Sequence, residues 1–148
     1  MQYKPLLIAL GSLALTARAD FHILDTICAY TCGTYEIFDS DPQSCAEYTV
    51  VFVASNQYNC KGKSDAPNIP ETAGHLQDFM HLDQGLCGSG ALNFYKRDND
   101  TYEFYADGGD GSVLGTCYKG DGSTEACGSG LGICDFKEQY VCYTYLCN

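Results

Sequence analysis

The sequence predicts a mainly β, disulfide-rich secreted domain: a small antiparallel sheet, sandwich or barrel, with one short α-helix near residues 71–84. Three observations carry this reading. All ten cysteines lie at or after Cys28, behind a leader suited to removal. The apolar residues gather in short runs rich in β-branched and aromatic side chains, and Gly-rich, acidic segments punctuate those runs.

Taken in order, Met1 to Ala19 read as a signal peptide. A short basic start ends in Lys4, an apolar stretch runs from Pro5 to Leu15, and Ala17-Arg18-Ala19 supplies a small-x-small cleavage site. That apolar stretch is well short of the ~20 residues of a spanning helix. The expected mature chain is one domain, residues 20–148, secreted and with no retention or lipid-anchoring signal at its end. Strand signals follow at Glu47 to Ala54, Ala91 to Lys96, Thr101 to Ala106 and Gln139 to Tyr145. The polar, turn-forming Arg97-Asp98-Asn99-Asp100 makes Ala91 to Ala106 a hairpin. From Glu71 to Gln84, Leu76, Phe79 and Met80 recur at helical spacing, Pro70 suits the start and Gly85 a left-handed end. Lys61 to Pro70, with two prolines, reads as a surface connection. Cys32-to-Cys60 and Cys87-to-Cys117 echo each other in length and flanking residues, as two β-units stapled at corresponding ends would.

Cys28, Cys32, Cys45, Cys60, Cys87, Cys117, Cys127, Cys134, Cys142 and Cys147 permit five bridges with no thiol left over in an oxidising compartment. About 945 pairings are possible, and sequence does not choose among them. No zinc is expected, because paired Cys spacings with a second matching pair are missing, and the even count leaves no free catalytic thiol. Loss of Lys4 and Arg18 with the leader moves the formal net charge from −11 to −13. Such a surface repels nucleic acid and anionic membranes and favours cationic extracellular partners, while keeping the expected monomer soluble.

No catalytic, metal-binding or cofactor-binding set emerges. His22 stands near the new N-terminus, and His75 and His81, six apart, do not share a helix face. Asp107, Asp110 and Asp121 sit in Gly-rich turns, and the EF-hand pattern fails after Asp98 and Asp100. Nineteen acids make any carboxylate pair uninformative. With no Trp, the tyrosines would have to supply any sugar-stacking surface, and core packing is their expected use. Two processing signals stand out: the sequon Asn99-Asp100-Thr101 in the hairpin turn, and the dibasic pair Lys96-Arg97.

The segment Cys28-Ala-Tyr-Thr-Cys32-Gly33 resembles the start of small guanyl-specific fungal ribonucleases related to ribonuclease T1. The resemblance covers six residues. It brings no catalytic residue with it, since Arg97 is the lone arginine after the leader and no histidine follows it. The whole chain, with its leader, cysteine content and small size, resembles the small cysteine-rich secreted proteins of filamentous fungi. That resemblance implies an effector or elicitor that binds an extracellular host protein or wall component in the apoplast and modulates host defence. It is compositional and carries no diagnostic motif. The alternative is a small secreted hydrolase or ribonuclease-like protein acting on wall polymers or RNA.

Overall fold

The computed structural model describes residues 20–32, 43–70, 76–129 and 132–147. The expected leader 1–19, Gly33, His75 and the first five residues of the expected helix lie outside them. Among the described residues, nine strands form one antiparallel sheet: β1 Phe21–Cys32, β2 Gln43–Ala54, β3 Asn68–Pro70, β4 Phe79–Leu82, β5 Leu92–Lys96, β6 Tyr102–Ala106, β7 Gly115–Lys119, β8 Thr124–Ser129 and β9 Gly132–Tyr143. Neighbours run in the order β3-β2-β1-β9-β7-β6-β5-β4. The end strands β3 and β4 approach each other without pairing, so the sheet curls into a nearly closed barrel. Both edges are short, and Pro67 and Pro70 blunt the β3 side, which limits edge-to-edge association.

β1 pairs with β2 along twelve residues and with β9 on its other side. β7 and β8 share the far side of β9, taking Thr116 to Lys119 against Tyr140–Tyr143 and Thr124 to Ser129 against Gly132–Lys137. Inside the barrel lies an aromatic core of Phe21, Phe52, Phe94, Tyr102 and Phe104, closed by Met80, Leu82 and Leu92. β5 and β6 alternate strictly, Leu92, Phe94, Tyr102 and Phe104 inward and Asn93, Tyr95, Glu103 and Tyr105 outward, because only one face is buried. The hairpin closes as the sequence predicts, with a three-residue loop in which Asp100 takes φ 56°, a left-handed conformation that Asp tolerates. By contrast, Val50 to Ala54 is apolar without alternation. Val50 and Phe52 face the barrel core, while Val51 and Val53 join Leu24, Phe136 and Cys127 in a second, outer cluster.

Among the described residues the short α-helix is α1, Cys60–Asp65, in the stretch read as a surface connection, and not over the described part, 76–84, of the expected helix. Asn59 caps it by accepting from the Gly62 N–H at 3.0 Å, and the Cys60–Cys127 bridge fastens it over the outer cluster. Within that described part, Phe79–Leu82 is instead strand β4. There Met80 and Leu82 point inward and His81 outward, a period of two that a four-residue strand shows only once. Gly85 does adopt the left-handed φ of 63°, but to turn the chain after β4 rather than to end a helix. Lys137 and Tyr140 are both opposite β1 residues, yet Gln139 has no partner there: Ile23 faces Tyr140 and Leu24 faces Glu138. This β-bulge exchanges the faces of β9. Tyr140 and Cys142 point into the barrel core, whereas Cys134 and Phe136 join the outer cluster although all four are even-numbered.

All ten cysteines are bridged: Cys28–Cys134, Cys32–Cys45, Cys60–Cys127, Cys87–Cys147 and Cys117–Cys142. Cys32–Cys45 lies within the first unit of the internal echo and no bridge lies within the second, and neither Cys32 and Cys60 nor Cys87 and Cys117 are joined, so the pairing does not staple the two units at corresponding ends. Five bridges fit an oxidising, extracellular setting. No described helix is long and apolar enough to cross a membrane.

Candidate ligand site at the barrel mouth

Beyond Tyr140 the barrel interior changes character. The bulge turns Asp135 and Lys137 inward, β1 contributes Asp25 and Ile27, and the ends of β7 and β5 bring Lys119 and Lys96 to the rim. These residues, with Tyr48 and Leu76, enclose a cleft of about 620 Å³. The lining is mostly polar, with Ile27, Leu76, Tyr48 and Tyr140 as its apolar part, so the cleft suits a polar ligand better than the apolar-walled form usual for small-molecule sites. Of the eight basic residues in the chain, Lys4 and Arg18 belong to the expected leader, and three of the remaining six line this cleft.

Asp100 organises the rim. Its Oδ1 accepts from the Tyr140 hydroxyl at 2.9 Å and lies 3.2 Å from Lys96 Nζ, and its Oδ2 accepts from Lys119 Nζ at 3.1 Å. The Tyr140 bond, then those of Lys119 and Lys96, hold the carboxyl down at about 2. Burial, followed by the Asp100 bond, pushes the Tyr140 phenol up. Below it, Tyr102 donates to the Gln77 carbonyl at 2.8 Å and meets the Tyr140 ring edge-on at 4.9 Å. Burial first, then the charges of Asp78, Asp100 and Asp25, raise its phenol to about 12. The rim thus holds its donors and acceptors fixed over a wide pH range. Because the Asp100 pKa is depressed in the fold, its contribution to stability is present above its ordinary value of 3.8 and is lost as pH falls through about 2. The raised Tyr102 contributes in the opposite direction, fully below about 10 and lost as pH rises through about 12. NMR titration of the Asp100 carboxyl should give a midpoint near 2, and Tyr140→Phe should move it upward.

The sequence-predicted sites are dispersed. Asn99 is exposed at the hairpin tip beside Asp100, with its Oδ1 accepting from Thr101 Oγ1 at 2.6 Å. Lys96 ends β5, and Arg97 is turned outward to Glu103 and the Tyr105 hydroxyl. His81 lies on the outer face of β4 between Asn93 and Asp83, at 2.6 and 2.9 Å. Asp110 and Asp121 accept from the backbone N–H two residues ahead, at 2.9 and 2.8 Å, as turn residues do. Asp107 accepts from Asn93 Nδ2 at 2.9 Å. Cys60, Cys127 and Glu125 bring three potential metal donors together among the described residues. Both sulfurs, however, are tied in one disulfide and offer no thiolate.

The cleft residues Asp25, Tyr48, Lys119, Asp135, Lys137 and Tyr140 were not singled out by the sequence, where no two of them form a local motif. The one signal available was the scarcity of basic residues, which makes three in one place conspicuous. No protein-family model, no curated protein and no solved structure matches the chain.

Proposed function

We propose that the protein is a secreted effector or elicitor of a filamentous fungus that binds a wall component in the host apoplast at the barrel mouth and thereby modulates host defence. The observation that carries this reading is the gathering of Lys96, Lys119 and Lys137 around one cleft of a protein with formal net charge −11. The surface as a whole favours cationic partners, whereas at the mouth the three lysines offset the carboxylates of Asp25, Asp135 and Asp100 and leave the acidity locally neutralised. Lys137 and Lys119 supply cations for a carboxylate, the exposed Tyr48 supplies a face for a sugar ring, and Asp25, Thr124 and Gln139 supply partners for hydroxyls. The matching ligand is an acidic wall oligosaccharide. Strands cross-linked around the cleft are ordered before binding, so less conformational entropy is lost on association.

Calorimetric titration of the oxidised mature protein with oligouronides, and with neutral glucan and chitin oligomers, tests the reading. The acidic series should bind and the neutral series should not. Lys119→Ala/Lys137→Ala should weaken binding by roughly tenfold or more, the loss expected for charge-assisted contacts, and added salt should reduce affinity. Failure of all three series to bind a correctly bridged protein would sink the mouth as the contact site. Unchanged host defence responses to the pure protein would remove the effector role.

A further inference from the structure

On the outer face of the barrel, away from the mouth, three side chains distant in sequence meet in a line. His22 is the second residue of β1, Ser55 opens the 3-10 turn Ser55–Gln57 that follows β2, and Glu138 immediately precedes the bulge in β9. Ser55 Oγ lies 3.0 Å from His22 Nε2, and His22 Nδ1 lies 2.6 Å from Glu138 Oε2. We propose that Ser55, His22 and Glu138 form a nucleophile, general base and orienting carboxylate that give the protein an acyl-transfer activity towards small esters. This goes beyond the binding role of the mouth and shares no residue with it.

The hydrogen-bond roles follow from the chemistry of the groups. A carboxylate only accepts, so Nδ1 carries the imidazole proton towards Glu138, and the Nε2 lone pair is left facing the Ser55 hydroxyl. This is the tautomer that a serine nucleophile requires. Glu138 is itself held in place. Its Oε2 also accepts from the Tyr58 hydroxyl at 3.3 Å and its Oε1 from the Asp121 N–H at 3.3 Å. Gly120 packs so closely that a Cβ there would lie 2.6 Å from Oε1. Tyr58 also covers the imidazole, ring centroids 4.2 Å apart. Burial, then the nearby Glu138 charge, raises its phenol to about 12, which keeps it a donor. The side chains of His22 and Glu138 are only 15% and 9% exposed, while Ser55 is half-buried. The relay therefore runs from a sheltered carboxylate to a hydroxyl that solvent and substrate reach. A buried His–Glu pair needs no hydroxyl at its outer end for its own stability.

Neither Ser55 nor His22 lines any of the cavities at the mouth, at the seam between β3 and β4 or at the opposite end of the barrel. The substrate class of the proposal is an ester of a small acyl group, of acetyl size, whose alcohol lies along the surface beside Ser55. Ser55 Oγ would attack the carbonyl carbon as its proton passes to His22 Nε2. The bond to the alcohol oxygen breaks as that proton is returned to the leaving alcohol. Water, deprotonated by His22, then attacks the Ser55 ester, releasing the carboxylic acid and restoring the serine hydroxyl. The sum is ester plus water giving acid plus alcohol, with no other reactant.

The test is covalent labelling of the secreted, fully bridged protein with a fluorophosphonate, mapped by peptide mass spectrometry, alongside hydrolysis of p-nitrophenyl acetate. A single adduct on Ser55 is expected, absent from Ser55→Ala and His22→Gln. Glu138→Gln, with Glu138 acting as a positioning residue, should slow labelling by about tenfold or more. Gly120→Ala, which displaces the carboxylate, should slow it in the same direction. Intact disulfide mass and unchanged near-ultraviolet circular dichroism separate loss of reactivity from loss of fold. Wild-type protein with all five bridges that shows no Ser55 adduct, or His22→Gln that labels as fast as wild type, overturns the proposal.

Discussion

Phe94→Ala is expected to destabilise the barrel by about 3–5 kcal/mol, the range for truncating a fully buried aromatic. Phe94 is 0% exposed and stands at the centre of the core. Its ring centroid lies 5.0 Å from that of Phe52, 5.1 Å from Phe104 and 6.1 Å from Phe21, so three strands besides its own lean on one side chain. Truncation removes its burial energy and also leaves a hole between rings that β2, β1 and β6 hold apart. The neighbours are fixed by long antiparallel pairings and cannot collapse into it at low cost. Guanidinium denaturation of the oxidised protein measures the effect as a lower midpoint with an unchanged slope. Phe94→Leu should recover much of the loss, because it restores most of the volume.

Glu125→Ala is expected to cost about 3 kcal/mol, towards the lower end for breaking a buried ion pair. The Lys63 side chain is 1% exposed and pairs with Glu125, while its ammonium also lies 4.0 Å from the centre of the Tyr58 ring. Removing the carboxylate strands a cation beneath α1, with the faces of Tyr58 and, at 5.9 Å, Phe136 as its remaining described partners. The effect stays near the lower end because Glu125 itself is half exposed and water enters readily at its place. The same reasoning predicts that Lys63→Met/Glu125→Gln is nearly neutral, since no buried charge then remains unpaired. A double-mutant cycle measured by thermal unfolding distinguishes these outcomes.

Strands with a simple relation between pattern and burial were legible in the sequence. β5 and β6 alternate, their connecting loop has the expected turn residues, and the run from Val50 to Ala54 is too β-branched for anything but a strand. β4 was lost because Phe79 and Met80 stand three and four residues after Leu76 and completed a false helical face, which hid the two-residue period of the inward Met80 and Leu82. α1 was hidden for the opposite reason. Cys60-Lys-Gly-Lys-Ser-Asp65 has little helix propensity and is held by its Asn59 cap, a disulfide and the burial of Lys63, all tertiary effects. The cleft and the Ser55, His22, Glu138 line were illegible because both depend on which way β9 faces. Strict alternation assigns Lys137 and Tyr140 to opposite sides. The unpaired Gln139 puts both towards the barrel interior, and nothing in the composition around it announces a bulge.

That single extra residue also decides which way two of the disulfides face. Cys134 must look outward to reach Cys28 and Cys142 inward to reach Cys117, although an unbroken strand would present both on one side. Without the bulge Cys134 and Cys142 would share one face of β9; with it, the bridge to Cys28 on β1 lies outside the barrel and the bridge to Cys117 on β7 lies inside. Once both bonds have closed, the strand can no longer slip past Gln139 in either direction. Oxidation thus converts a choice of register, which hydrogen bonds alone leave reversible, into covalent memory of the correct one.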